Sequence, residues 1–267
     1  MGRGAGNRNL KSAMPGALDL PESIIASILS HTSPGDVARL ALVNRAFRDA
    51  GRTDIVWERM LPVGYHRFLK LAISSIGGGG SSSKRELYEQ LCGHILIGDG
   101  SEGLWIDRAT AAVCHSFSSR SLAVTWGSTA EYWEWSSKHG ARFDEVAHLK
   151  MVCWLELSGN WKLSLAPGTY TVSWRLQLDS DAFGWDKEPV RFSLATLDGR
   201  PVSMVARART VADNWVEYDV GQIVVEDEDE LGEVELFFSL QEIVSGTWKG
   251  GLFIDGVIVQ PSHLIVE

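Results

Sequence analysis

Cysteine is nearly absent from this chain: Cys92, Cys114 and Cys153 are the three it has in 267 residues. An odd, sparse set builds no disulfide framework and points to a reducing compartment. It also falls far short of the ligands that a zinc-binding RING requires. Basic residues are outnumbered, 25 against 34 acidic ones, for a net charge of -9. That balance excludes nonspecific nucleic-acid binding, which needs a basic footprint to release counterions. No run approaches the roughly 18 consecutive apolar residues of a membrane span. Residues 1 to 17 are Gly-rich and basic, without the apolar core of a secretory signal, and read as a disordered tail. The expected location is the cytoplasm, the nucleus or both. There is no Gly-rich phosphate loop and no zinc motif; Cys114-His115 and the pair Cys92, His94 lack nucleophile or ligand spacing. No catalytic residue, metal or cofactor is expected.

What the chain does have is tryptophan. There are eleven, and all but Trp57 lie from Trp105 onward. With 45% apolar residues a sizeable core can be buried, and the length suits one large domain or two modest ones.

Periodicity changes along the chain. From Leu18 to Pro62 it is helical. Pro21 suits a first turn, and Ile24, Ile25, Ile28 and Leu29 line one helical face. Ser33, Pro34 and Asp36 open a second helix, whose stripe runs through Val37, Leu40, Ala41 and Val43 to Phe47. A third short helix carries Trp57 and Leu61 and stops at Pro62. Residues 63 to 98 form a connector with a Gly/Ser run at 77 to 83. Ser83 and Glu86 there have capping-box spacing for a helix through Leu87, Tyr88 and Leu91.

From about Gly98 the period is two. Tyr170, Val172, Trp174, Leu176 and Leu178 alternate with polar residues. Val190, Phe192 and Leu194 do so before Asp198-Gly199, a hairpin signal. Val216, Tyr218 and Val220 follow, then Leu236 and Phe238, then Leu252 and Ile254. Short strands with frequent turn signals imply a β-sandwich or jelly roll over 99 to 263. The acidic run at 226 to 230 is expected in a solvated loop. The fold class is α+β multidomain: a small all-α domain at 18 to 62, then an all-β domain.

The helical segment resembles an F-box. The residues that carry the likeness are Leu20-Pro21, Ile28-Leu29, Val37, Leu40, Val43 and the exit from Trp57 to Pro62. The resemblance implies binding to a Skp-type adaptor, and through it to a cullin scaffold. The implied adaptor-binding residues are Leu20, Pro21, Ile24, Ile28, Leu29, Val37, Leu40, Val43 and Trp57. A segment this short buries little surface alone, so a partner would account for apolar residues left outside.

The later part, from about Lys84 to Pro261, resembles the phloem protein two lectins. Its markers are Lys84-Arg85-Glu86-Leu87-Tyr88, Ala123-Val124-Thr125-Trp126 and Tyr132-Trp133-Glu134-Trp135. Val152-Cys153-Trp154-Leu155-Glu156 and Trp248-Lys249-Gly250-Gly251-Leu252 follow in order. Sugar binding in a tobacco member of that family, with N-acetylglucosamine-containing glycans as the expected class, implies a site of Trp126, Trp133, Glu235 and Glu242. Glu233 competes with Glu235, because this chain is longer between its Gly-Glu-Val-Glu motif and Glu242. A ring that stacks on the C–H face of a pyranose and a carboxylate that takes its hydroxyls make chemical sense together. Patterning alone puts Trp154 and Trp174 in the core, leaves Trp126, Trp133, Trp135 and Trp161 open, and reads Glu242 as a solvated charge. The implied function is a ligase substrate receptor that binds glycans or glycoproteins. The alternatives are an F-box adaptor whose sandwich binds protein surfaces, and a cytoplasmic lectin outside any ligase.

Overall fold

A computed structural model gives the fold and describes residues 20–62, 65–66, 69–70, 83–108, 110–197, 202–206, 214–226 and 232–262. The chain divides into two compact units, one ending at Met60 and the other beginning at Leu61.

The first unit holds helices α1 (Glu22–Leu29), α2 (Pro34–Leu40), α3 (Arg45–Ala50) and α4 (Asp54–Met60). Pro21 sits at the N-cap of α1, and its carbonyl accepts from the Ile24 and Ile25 N–H groups. Ser33 caps α2: the Asp36 N–H donates to its Oγ at 3.1 Å, with Pro34 at the first helical position. The helical stripe expected to continue from Val43 to Phe47 is broken. Residues 41 to 43 turn, and the extended Asn44 starts α3 afresh by accepting from the Phe47 N–H at 2.9 Å. An Asn side chain that can satisfy a free N–H favours such a restart over a continuous helix. Ile25, Leu29, Val37, Ala50, Val56, Trp57 and Met60 form the small core. The Trp57 indole N–H donates to the Gly51 carbonyl at 2.8 Å, which ties α4 to the end of α3.

In the second unit, α5 (Lys84–Leu91) starts at Ser83, whose Oγ accepts from the Glu86 N–H as the capping spacing predicts. The Gly/Ser run at 77 to 83 lies outside the described residues, except for Ser83. Strands then follow. They begin with β1 (Ile95–Ile97), β2 (Glu102–Ile106), β3 (Val113–Ser118), β4 (Ala123–Val124), β5 (Trp133–Ser136) and β6 (Val146–Leu149). They continue as β7 (Leu155–Leu165), β8 (Gly168–Phe183), β9 (Val190–Thr196), β10 (Val202–Ala206), β11 (Val216–Val225), β12 (Gly232–Glu242) and β13 (Gly250–Pro261).

Every pairing among them is antiparallel, and they form two sheets. In the eight-stranded sheet β13 is central, with β8 on one side and β3 and β6 along the other. The five-stranded sheet runs β10-β9-β12-β7-β4. The inward rows read from the alternation do meet between the sheets: Tyr170, Val172, Trp174, Leu176 and Leu178 against Phe192, Leu194, Leu236, Phe238 and Leu240. Trp161, left open by patterning, stacks between Phe117 at 4.1 Å and Phe238 at 4.4 Å. Gly256 is required where β13 passes β3, because a Cβ there would stand 1.8 Å from the Phe117 carbonyl oxygen. β9 and β10 pair as a hairpin, though the Asp198-Gly199 turn itself lies outside the described residues, as does the acidic run beyond Glu226.

Candidate functional site

On the helical unit, α1 is apolar on two sides. Ile25 and Leu29 face inward and are fully buried, while Ile24 and Ile28 are each 47% exposed. Leu20, one turn before Ile24, is exposed as well, and so are Pro21, Leu42, Val43 and Ile55. Ile24 and Ile28 are spaced i, i+4, a single row along the helix, and Leu20 and Pro21 lead into it from just before α1. Three of the adaptor-binding residues implied by resemblance therefore need correction: Leu29, Val37 and Trp57 are core, where they hold the helices together rather than meet a partner. Leu40 is half-buried. Leu20, Pro21, Ile24, Ile28 and, after α2, Val43 are exposed.

On the sandwich, Trp126 sits in the turn that follows β4 and is 45% exposed. Its φ of 57° is left-handed, a conformation that a bulky residue adopts only when its surroundings impose it. The neighbours that impose it are identifiable. The Trp133 indole N–H donates to the Thr125 carbonyl at 3.1 Å, and the Trp135 indole N–H to the Gly127 carbonyl at 3.3 Å. Two rings of β5 thus hold the carbonyls of the residues on either side of Trp126, and the Thr129 N–H donates to Trp126's own carbonyl at 2.8 Å. The exposed ring expected at Trp133 is not there: it is 3% exposed, turned into the sandwich from the start of β5. As placed, Trp133 offers no stacking face; it positions Trp126. Trp135 is half-buried under Arg120, whose guanidinium stands 4.0 Å from the ring centre.

The carboxylates are not brought together either. Glu235 and Glu242 are seven residues apart on β12, about 24 Å along a strand. Leu236, Phe238, Leu240 and Glu242 face inward, so Glu235 belongs to the opposite, outer face, across from Lys162 on β7. Glu233 lies on that outer face too. Glu242 is no solvated charge but is 4% exposed. One carboxylate oxygen accepts the Val244 and Ser245 N–H groups at 3.2 and 3.0 Å. The other takes the Ser245 hydroxyl at 2.9 Å and an ion pair with the buried Lys249 ammonium. Burial alone would raise the Glu242 carboxyl, but the Lys249 and Ser245 donors outweigh it and hold the group below its ordinary 4.5. With both oxygens committed, Glu242 secures the loop between β12 and β13.

A different carboxylate is linked to Thr125, the residue before Trp126. Glu156, half-buried on the outer face of β7, receives the Trp154 indole N–H at 3.1 Å and the Gln241 amide at 2.9 Å, with the Thr125 hydroxyl at 3.5 Å. Trp154, expected in the core, is 42% exposed. It stands ahead of β7, at Leu155, and so escapes that strand's inward row. Sequence reasoning missed this pair, although a signal was available. Leu155 and Leu157 facing inward place Glu156 outward.

The chain matches two family models, an F-box-like one over residues 17–62 and Phloem protein 2 over residues 112–261. F-box protein PP2-A15 of Arabidopsis thaliana is 33% identical over 270 residues, covering 92% of this chain and 89% of its own length. F-box protein PP2-A12 of the same plant is 34% identical over 270 residues, covering 96% and 91%. A solved family 35 carbohydrate binding module from Clostridium thermocellum aligns with 56% of this chain and 98% of its own at a TM-score of 0.35 and 12% identity. The two models cover the helical unit and most of the sandwich, and the relatives span nearly the whole length, so the chain belongs to the F-box proteins that carry a phloem protein 2 domain.

Proposed function

We propose that the chain is the substrate-recognition subunit of an SCF-type ubiquitin ligase, a non-catalytic adaptor. Its helical unit binds a Skp-type adaptor and through it a cullin, and its sandwich binds a glycan or glycoprotein. The observation that carries the first half is the outward apolar pair of α1, Ile24 and Ile28, with Leu20 just before the helix, left exposed by a unit that has its own buried core. The second half is supported by Trp126, an exposed ring that the buried Trp133 indole and the half-buried Trp135 indole hold in a conformation it would not choose. Free thiols at Cys92, Cys114 and Cys153 suit work in the cytoplasm or nucleus.

Sugar binding should be weak, micromolar to millimolar, because a shallow site desolvates few groups and yields only about 4–8 kcal/mol. Trp126→Ala is expected to abolish retention on immobilised chitotriose. It should leave unfolding free energy within about 1 kcal/mol, the scale of a surface position. A protein surface is the competing occupant, favoured by the exposed Met151 and Val244 on the same domain. That reading gains if the wild-type domain retains no glycan while still capturing protein partners through Trp126.

A further inference from the structure

We propose that Trp154, Glu156 and Gln241 form the hydrogen-bonding half of the sugar site, and that the site selects neutral over acidic glycans. This inference rests on the glycan-binding reading, and Trp126 supplies the other half. The geometry is specific. Glu156 and Gln241 are directly opposite one another on β7 and β12. The Gln241 amide occupies one carboxylate oxygen at 2.9 Å, and the Trp154 indole N–H holds the other at 3.1 Å. Thr125, whose hydroxyl lies 3.5 Å from that same oxygen, is the residue before Trp126. The stacking ring and the carboxylate are thereby joined through one peptide.

A carboxylate can accept about four hydrogen bonds. Two short ones and one long one are already made, so Glu156 keeps room for a donor from outside. It is half-buried, fixed at both oxygens and aimed outward, unlike Glu242, whose oxygens are committed inside the fold. A sugar hydroxyl is such a donor, and the half-exposed Trp154 ring beside it covers an apolar C–H face. A uronate or sialic acid would instead bring a second negative charge against Glu156, on a chain already at -9. Arg191 is the nearest cation on this sheet row, across from Gln241 on β9. Its backbone stands two strand spacings from that of Glu156, about 10 Å.

The test uses the full chain with Trp154→Phe, Trp154→Ala, Glu156→Gln and Trp126→Ala, each checked for an unchanged melting curve. The probes are chitotriose and a high-mannose N-glycan as neutral ligands, and a trigalacturonate and a sialylated N-glycan as acidic ones. Trp154→Ala and Glu156→Gln are expected to lose tenfold or more on the neutral ligand that binds. Trp154→Phe keeps a ring, loses the indole donor and should fall between. Glu156→Gln should also narrow the neutral-to-acidic ratio, which a purely structural role would leave alone. If Trp126→Ala removes binding while the Trp154 and Glu156 variants keep wild-type affinity and selectivity, the inference is wrong and the glycan reading stands. If the wild-type chain binds none of the four probes, both are wrong.

Discussion

Replacing Ile24 and Ile28 together with aspartate is expected to abolish capture of a plant Skp-type adaptor while the helical unit stays folded. Both side chains lie on the outward row of α1 and contribute little to the core built by Ile25, Leu29, Val37 and Trp57. Truncating a hot spot at such an interface costs about 2 kcal/mol or more, and two of them on one row would lower affinity by roughly a thousandfold. The contrast is with Leu29→Ala. A fully buried leucine costs about 2–5 kcal/mol of stability when truncated, so that variant should lose the adaptor only because the unit melts. Titration calorimetry with the purified adaptor, beside circular dichroism melts, separates the two cases. Unchanged binding by the Ile24, Ile28 double variant would mean that the exposed row serves something else.

The second large effect is expected inside the sandwich. Lys249→Ala should destabilise it by about 3–5 kcal/mol, because the substitution leaves the Glu242 carboxylate buried without its partner. Lys249 also donates to the Cys153 carbonyl at 3.2 Å, so the loop before β13 and the entry to β7 loosen together. The pH dependence follows from the lowered Glu242 pKa. The folded value lies below the unfolded one, near 4.5, so this contribution is complete above pH 4.5 and is lost as pH falls through the folded value. The gap between wild type and Lys249→Ala should therefore be full at pH 7 and shrink below pH 4.5. Urea denaturation at both pH values measures it. A gap that is small at neutral pH, or that widens in acid, would show that the ion pair does not hold this loop.

Much of the architecture was legible in the sequence because it rests on local rules. The change from helical to two-residue periodicity, the Ser33 and Ser83 caps and the inward rows of β8, β9 and β12 follow from alternation and capping chemistry. The site was less legible, because exposure of a given ring depends on partners distant in sequence. Trp133 looks no different from Trp126 in sequence; which of them turns inward depends on the pairing of β5 with β6. Glu242 resembles any surface glutamate until Lys249, seven residues later, is brought against it. On α1 the sequence shows four apolar residues in one helix, but only the packing of α3 and α4 decides that Ile25 and Leu29 are core and Ile24 and Ile28 are surface.

On the proposed function, one chain binds a Skp-type adaptor and a glycan at the same time. The most direct measurement is a bridging assay, in which a Skp-type adaptor is passed over immobilised chitotriose with and without this protein. Retention of the adaptor is expected only with the full wild-type chain. It should be lost on adding free chitotriose, lost with Trp126→Ala and lost with the Ile24, Ile28 double variant. Adaptor that flows through in the presence of wild-type chain would rule this bridging role out.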